Sequence, residues 1–242
     1  MYLAIETAYD VCGVALVNAS GVEALEEQVA PRRHNELLAV SVDRLLADSG
    51  RRLSDLDDIA LSVGPGSFTG LRIGMSYAKG LALGTGLPII PVPTLPSLLV
   101  GERLHSPHWV ATWSHGVQIY AARVDRGGHF GEVQSMTWDA FALLAEGETV
   151  AGYLLDRFLD SGGPTQTGRD MTVLETCPSA AKIGKFALER GLSPASDLGS
   201  LIPDYHHKFQ VKPLRGGSSG KGVSARRSSP NQTNIRINHV HS

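Results

Sequence analysis

Long apolar runs are missing from this sequence. No window reaches the roughly eighteen uncharged apolar residues of a membrane-spanning helix. The opening MYLAIETAYD also lacks a basic stretch followed by an apolar core, so neither membrane insertion nor secretion is expected. Cysteine is scarce too. Cys12 and Cys177 are the only two in the chain, too isolated for a disulfide framework, and neither belongs to a CxxC pair that would begin a metal site. That usage fits a reducing, cytoplasmic setting. A strong charge of either sign is also lacking, since 22 Lys and Arg stand against 24 Asp and Glu. Residues 216–242 nevertheless hold Lys221, Arg226, Arg227 and Arg236 with no acid, which leaves the body more acidic than the whole. Nucleic-acid-binding domains ordinarily show a basic face. Any RNA bound in this protein's biology is therefore expected to be held mainly by another molecule.

What is present is a chain of 242 residues, 42% hydrophobic, able to bury one good core or two small ones. Its first hundred residues alternate clearly. Tyr2–Ile5, Val11–Val17 and Val22–Val29 read as three strands in an antiparallel meander, with a turn at Asn18–Gly21. Leu38, Val42 and Leu45 then recur at helical spacing in a helix that stops at Ser49–Gly50. Ile59–Val63 is a short buried-type strand, Phe68–Leu83 a helix, and Ile89–Val92 a strand closed by prolines. The order is βββαβαβ. The second half repeats it faintly, with apolar segments at Trp109–Trp113, Val117–Val124, Val133–Thr137 and Met171–Leu174 and helical stretches near Ala140–Leu144 and Ala180–Arg190. This pattern predicts a duplicated, two-lobed α/β architecture, with lobes at 1–103 and 104–215 and ligands or partners favoured between them. A single α/β domain with irregular additions is the alternative. From Gly216 the composition turns to Gly, Ser, Arg and Asn, which predicts a disordered basic tail over 216–242. Its GGSSGKG is no phosphate loop, because Arg215 and Gly222 stand where that motif needs Gly and Ser or Thr.

The most informative stretch is SVGPGSFTGLRIGMSYAKGLALGTGLPIIPV, Ser62–Val92. Gly64-Pro65-Gly66 falls between a strand and a helix, and Ser67 or Thr69 can cap that helix. Amides at such a turn either bind an anion or simply close a tight turn. Along the helix Gly70, Gly74, Ala78 and Ala82 recur every four residues and line one face with almost no side chain. Each interior glycine costs about 1 kcal/mol relative to alanine, so close approach of another backbone is expected to offset it. That backbone is either the protein's own sheet or a helix of a second subunit, with Leu71, Met75 and Tyr77 beside the seam. The helix at His34–Ser49 carries Leu37, Leu38, Val40, Val42, Leu45 and Leu46, more than one core-facing stripe, which fits a thick core or a partner. His105 with His108, and His206 with His207, read as surface or loop histidines, and Cys12 as a small buried apolar residue.

IETAYDVCGVALV, a helix opening with His34, and GPGSFTGLRIGMSYAKGLALGTGLPIIPVPTL occur in this order over residues 1 to about 100. Together they resemble the N-terminal signatures of the TsaB (YeaZ) family, and LIPDYHHKFQVK, Leu201–Lys212, is weakly similar to that family's closing segment. The resemblance implies an actin-like, ribonuclease H-like fold. It also implies a role without catalysis of its own, as partner and activator of a TsaD-type threonylcarbamoyltransferase that forms threonylcarbamoyladenosine (t6A) beside the tRNA anticodon. A TsaE-type ATPase is the implied third component, and tRNA contact is indirect. A shared surface serving TsaD or a homodimer is placed on the two N-terminal helices. The implied interface residues are Leu38, Val42, Leu45, Gly70, Leu71, Gly74, Met75, Tyr77, Ala78 and Ala82. Thr7, Asp10, Gly64 and Gly66 are candidate nucleotide contacts, with ATP or ADP and magnesium expected only at the boundary with the TsaD-type partner.

Comparison with the TsaD pattern implies why catalysis is not expected. That pattern binds a metal through two histidines separated by three residues, and Thr94 and Leu98 stand at the matching positions here. Threonine is a poor neutral ligand and leucine is none. The superfamily's Gly-Gly turn before a helix is not evident in the second half either, where Gly127-Gly128 precedes a strand-like segment and Gly162-Gly163 precedes Pro164. The competing reading is an enzyme in its own right, an actin-like ATPase or kinase or a metal-dependent peptidase.

Overall fold

The computed structural model describes residues 1–104, 108–159 and 171–205. The expected tail at 216–242, His105 and the His206-His207 pair lie outside the described residues. The first sheet takes strands β1 (Tyr2–Glu6), β2 (Val11–Asn18), β3 (Gly21–Val29), β4 (Asp58–Gly64) and β5 (Ile89–Pro93), in the order β3-β2-β1-β4-β5. The β1–β2 and β2–β3 pairs are antiparallel, and the β1–β4 and β4–β5 pairs are parallel. The second sheet takes β6 (His108–His115), β7 (Gln118–Val124), β8 (Gln134–Thr137), β9 (Thr149–Tyr153) and β10 (Thr172–Glu175), in the order β10-β9-β6-β7-β8. Reversed, that order matches the first sheet strand for strand. The chain is therefore a duplicated, two-lobed α/β fold of the actin-like class.

Helices α1 (His34–Ser49), α2 (Phe68–Thr85) and the short α3 (Thr94–Ser97) belong to the first repeat, with a 3-10 turn at Leu53–Asp55. Helices α4 (Trp138–Leu144), the four-residue α5 (Asp156–Leu159) and α6 (Ala180–Arg190) belong to the second. α1 ends where Gly50 adopts φ 65°, a left-handed conformation that turns the chain out of the helix.

Alternation along the strands sorts side chains by size. Leu3, Ile5, Val14, Leu16, Ile59 and Leu61 point to one face and pack with Leu38, Val42, Leu45, Met75, Ala78 and Ala82 of α1 and α2. Ala4, Ala15 and Ala60 point to the other face and pack with Ala180, Ile183 and Ala187 of α6. The smaller residues let α6 lie close. A β-carbon at Gly184 would fall 2.6 Å from Val17 and 3.1 Å from Ala4. Burial on both faces explains why β1, β2 and β4 read as nearly continuous apolar runs. β3, at the sheet edge, carries Glu23 and Glu26, which pair with Arg51 and Arg44; such charges discourage pairing with a foreign strand.

The lobe boundary needs correction. Residue 104 does divide the two sheets, but α6 and the segment after it return to the first lobe. The Ala195 amide donates to the Ile89 carbonyl at 2.8 Å and the Asp204 amide to the Val63 carbonyl at 2.7 Å, while Leu198 and Leu201 join the core over α1 and α2. The expectation of a second lobe running unbroken from 104 to 215 fails because the amphipathic face of α6 covers the first sheet. Between the lobes lies a packed apolar cluster. Ala8, Tyr9, Leu71, Leu95 and Leu98 meet Val110, Tyr120, Ala122, Val124 and Tyr153, and Tyr9 sits edge-on to Tyr153 at 5.6 Å.

Candidate functional site

The small-residue stripe meets the protein's own backbone. Ser67 caps α2 by accepting the Gly70 amide at 3.2 Å, and Gly70 then lies against Thr7 so closely that a β-carbon there would fall on the Thr7 carbonyl oxygen. A β-carbon at Gly74 would fall on Thr7 Oγ1, with Leu61 Cδ1 at 3.4 Å. Ala78 and Ala82 continue the stripe into the core, as do Met75 on α2 and Leu38, Val42 and Leu45 on α1. Leu71 is 1% exposed, inside the cluster between the lobes. Nine of the ten expected interface residues are thus sealed within this chain, leaving Tyr77 partly exposed. The expectation of an intermolecular seam along Gly70–Ala82 is therefore corrected. The stripe lets α2 lie flat on β1 and β4.

The same two helices keep a different apolar surface. Packed side by side, they leave Ile73, Tyr77 and Leu81 of α2 and Leu37 of α1 half-buried over the core, with Val40 51% exposed. Ile73, Tyr77 and Leu81 are one turn apart and share a stripe. Burial raises the Tyr77 phenol above its ordinary range, and the charge of Asp43 across on α1 adds to the shift. Glu36 and Asp43 are exposed on α1, with Asp43 close enough to act on Tyr77, while Arg44 pairs with Glu26 of β3. Helical periodicity contained the signal for it, because the residues left once the buried set is removed are themselves spaced by three and four.

The candidate phosphate turns come together but face each other. The Ser67 amide donates to the Ala8 carbonyl at 2.6 Å, and a β-carbon at Gly66 would fall on that same carbonyl. Gly64, with φ 125°, lies under the chain at Asp204, whose carbonyl oxygen would be 2.6 Å from a β-carbon there. Thr7 is fully buried, and its Oγ1 has no hydrogen-bond partner. Thr7, Gly64 and Gly66 are therefore close together, yet the space before them is taken by the protein's own backbone. Asp10 alone stays partly exposed, 3.9 Å from Arg157, whose guanidinium lies 4.3 Å over Trp113. These residues do not fit a nucleotide held by this chain alone.

The matched metal positions are also occupied by structure. Thr94 is fully buried and accepts the Gly64 amide through Oγ1 at 3.1 Å. Leu98 is fully buried between the lobes. Among the described residues no group of three or more His, Cys, Asp or Glu is arranged to hold a metal ion, and no helix is long and apolar enough to cross a membrane.

Glu6, which the sequence offers with Thr7 and Asp10 as either a turn residue or a nucleotide contact, ends β1 in full burial. Its Oε1 accepts the Ala8 amide and, at 3.3 Å, the Ser62 hydroxyl, while Oε2 has no partner. Burial pushes its carboxyl up to about 7 against the lowering effect of those hydrogen bonds.

Comparison with known proteins agrees with this architecture. The family model described as TsaD, tRNA N6-adenosine threonylcarbamoyltransferase, matches residues 26–150. The tRNA threonylcarbamoyladenosine biosynthesis protein TsaB of Escherichia coli K12 is 46% identical over 99 residues, 41% of this chain and 42% of that protein. The TsaB protein of Haemophilus influenzae is 40% identical over 96 residues, 40% of each chain. The chain thus spans about two fifths of the length of the curated relatives it matches. The structure of YeaZ from Pseudomonas aeruginosa superposes with a TM-score of 0.64 at 24% identity, covering 84% of this chain and 98% of that one, which establishes a common fold.

Proposed function

This chain belongs to the TsaB (YeaZ) family, and from that premise we propose that it is a non-catalytic scaffold and activator in t6A formation. It binds a TsaD-type threonylcarbamoyltransferase through the outer faces of α1 and α2. The observation that carries this reading is the apolar stripe Ile73–Tyr77–Leu81 of α2, half-buried over the core, together with exposed Val40 on α1. A surface of this kind, apolar at its centre and charged at its rim, has the anatomy of a protein interface. The same surface serves a homodimer when the chain is alone, since the two pairings compete for one face.

The chemistry of the site supports a role without a reaction of its own. Thr94 and Leu98 supply no imidazole, and Thr94 is already committed to the Gly64 amide. The turns that would cradle phosphates are filled by Ala8 and Asp204. ATP or ADP with magnesium is accordingly expected at the boundary with the TsaD-type partner, a TsaE-type ATPase completes the assembly, and tRNA is contacted through the complex. A cytoplasmic location goes with that role.

The test uses the purified chain with and without a TsaD-type partner. Alone, it should hydrolyse no ATP; added to the partner, it should raise threonylcarbamoyl transfer to tRNA. Tyr77→Glu or Ile73→Glu should abolish the stimulation while leaving the circular dichroism spectrum unchanged. Full stimulation by both folded variants would remove α2 from the interface, and transfer activity by the chain alone would overturn the reading. A charge at Gly74 is unsuitable as a probe, since it would disrupt the lobe itself.

A further inference from the structure

Glu6, Gly13 and Glu27 form one row across the first sheet. Glu6 pairs with Gly13 on β2, and Gly13 pairs with Glu27 on β3. Paired residues share a face, and this face carries α6, because Ala4, two residues before Glu6, packs against that helix. With no side chain at Gly13, Glu27 can lean across. A β-carbon at Gly13 would lie 3.1 Å from Glu27 Oε2 and 3.4 Å from Ala180 Cβ. From there Glu27 accepts the Ser179 hydroxyl at 3.0 Å and the Ala180 amide at 3.2 Å, which fastens the N-terminus of α6 to the sheet edge. A carboxylate at that end is also favoured by the helix dipole.

Glu6 lies in the same row without such relief. It is fully buried, one oxygen has no partner, and the groups whose charges reach it or feel it are acids: Glu27 on β3, Cys12 on β2, Tyr9 in the turn, Tyr153 on β9 and Cys177 after β10. The Ala8 amide and the Ser62 hydroxyl on β4 donate to the other oxygen of Glu6, and both are neutral. Lys182 on α6, whose charge reaches Cys177, is held by Glu102, Thr176 and the Leu98 carbonyl. A carboxylate in such a place is stabilised by neither water nor a cation.

We propose that the Glu6–Gly13–Glu27 row is a pH-sensitive catch for α6: with a proton on Glu6 the helix seats on the first sheet, and without it the helix is released. Glu27 of the row caps α6 through Ser179 and the Ala180 amide. Glu6 keeps its proton because burial under the helix disfavours its charge, and the nearby Glu27 adds to that effect. Since α6 is the element of the second repeat that covers the first sheet, its seating links the lobes.

The sign follows from the buried state. Glu6 holds its proton more tightly when α6 is seated, with a value of about 7, than in an opened, hydrated state. The catch is therefore complete at acid pH and weakens as pH rises through neutrality. The experiment is hydrogen exchange of the α6 amides in the full chain between pH 5.5 and 8.5, corrected for intrinsic rates. Opening should rise roughly tenfold per pH unit below neutrality and level off above it, and Glu6→Gln should flatten the profile. A flat wild-type profile, or a slope retained in Glu6→Gln, overturns the proposal. Should that variant not fold, a carbon-13 titration of the wild-type Glu6 carboxyl decides, since a midpoint near 7 is expected and one below 5 rejects the catch.

Discussion

The carbonyl oxygen of Thr7 occupies the place where a side chain on Gly70 would begin. The first turn of α2 and the end of β1 are thus in backbone contact, which explains the glycine at 70 without a second subunit. α2 holds two kinds of glycine. Gly70 and Gly74 face Thr7, whereas Gly80 and Gly84 have nothing within 4 Å of a would-be β-carbon.

The two kinds should respond oppositely to alanine. Gly70→Ala or Gly74→Ala pushes a methyl group into Thr7 and should lower stability by about 1–3 kcal/mol, the usual effect of overpacking. Gly80→Ala fills open space on an exposed helix face and should raise it by up to about 1 kcal/mol, through propensity alone. Urea denaturation of the three variants measures both signs. A stabilising Gly70→Ala would refute the close contact.

Lys182 uses all three of its protons, donating to the Leu98 carbonyl at 2.9 Å, Glu102 at 2.8 Å and Thr176 at 2.7 Å. These partners come from the end of α3, the connection between the lobes and the end of β10. Lys182→Met keeps the stem but removes the donors, and should cost about 2 kcal/mol, as expected for a partly buried, charge-assisted set. A double-mutant cycle with Glu102→Gln should return a coupling of at least about 0.5 kcal/mol. Strict additivity would reduce the pair to an ordinary surface contact.

The two cysteines should react very differently. Cys12 is buried on β2, where burial and the charges of Glu6 and Glu26 push its thiol up to about 11. Cys177 is exposed, its thiol also raised, by partial burial and by Glu27. Since the thiolate is the reactive form, iodoacetamide at pH 8 should modify Cys177 slowly and leave Cys12 untouched until the chain unfolds. Mass spectrometry of partially labelled protein reads this directly, and early labelling at Cys12 would contradict the packing of β2.

Much of this fold was legible because local pattern and tertiary role coincide. β1, β2 and β4 are apolar on both faces, and both faces are covered; α6 begins and ends where its apolar spacing does. β9 escaped notice because TVAGY is short and centred on Ala151 and Gly152, which have little strand preference. The return of α6 to the first sheet was not legible, since it depends on contacts between Ala4 and Gly184 across most of the chain. At the candidate site the sequence pointed to a small-residue face of α2 that the chain's own backbone covers. Small residues at intervals of four announce a close neighbour without saying which. The full burial of Glu6 was not legible, because a turn-end acid gives no local sign that a distant helix will cover it.

Leu38 and Val40 face opposite ways within one turn of α1, so they separate folding from the docking proposed for its outer face. Leu38 is 2% exposed in the core under α1, while Val40 is 51% exposed on the outer surface. Leu38→Ala should therefore cost about 2–5 kcal/mol by leaving a cavity, and should weaken partner stimulation only as far as it unfolds the chain. Val40→Glu should leave stability within about 0.5 kcal/mol of the parent, yet reduce affinity for the proposed TsaD-type partner at least tenfold by placing a charge in an apolar contact. Measuring stability by denaturation and affinity by calorimetry on both variants tests the assignment of inner and outer faces. If Val40→Glu binds as tightly as the parent protein, the outer face of α1 is not where the partner sits.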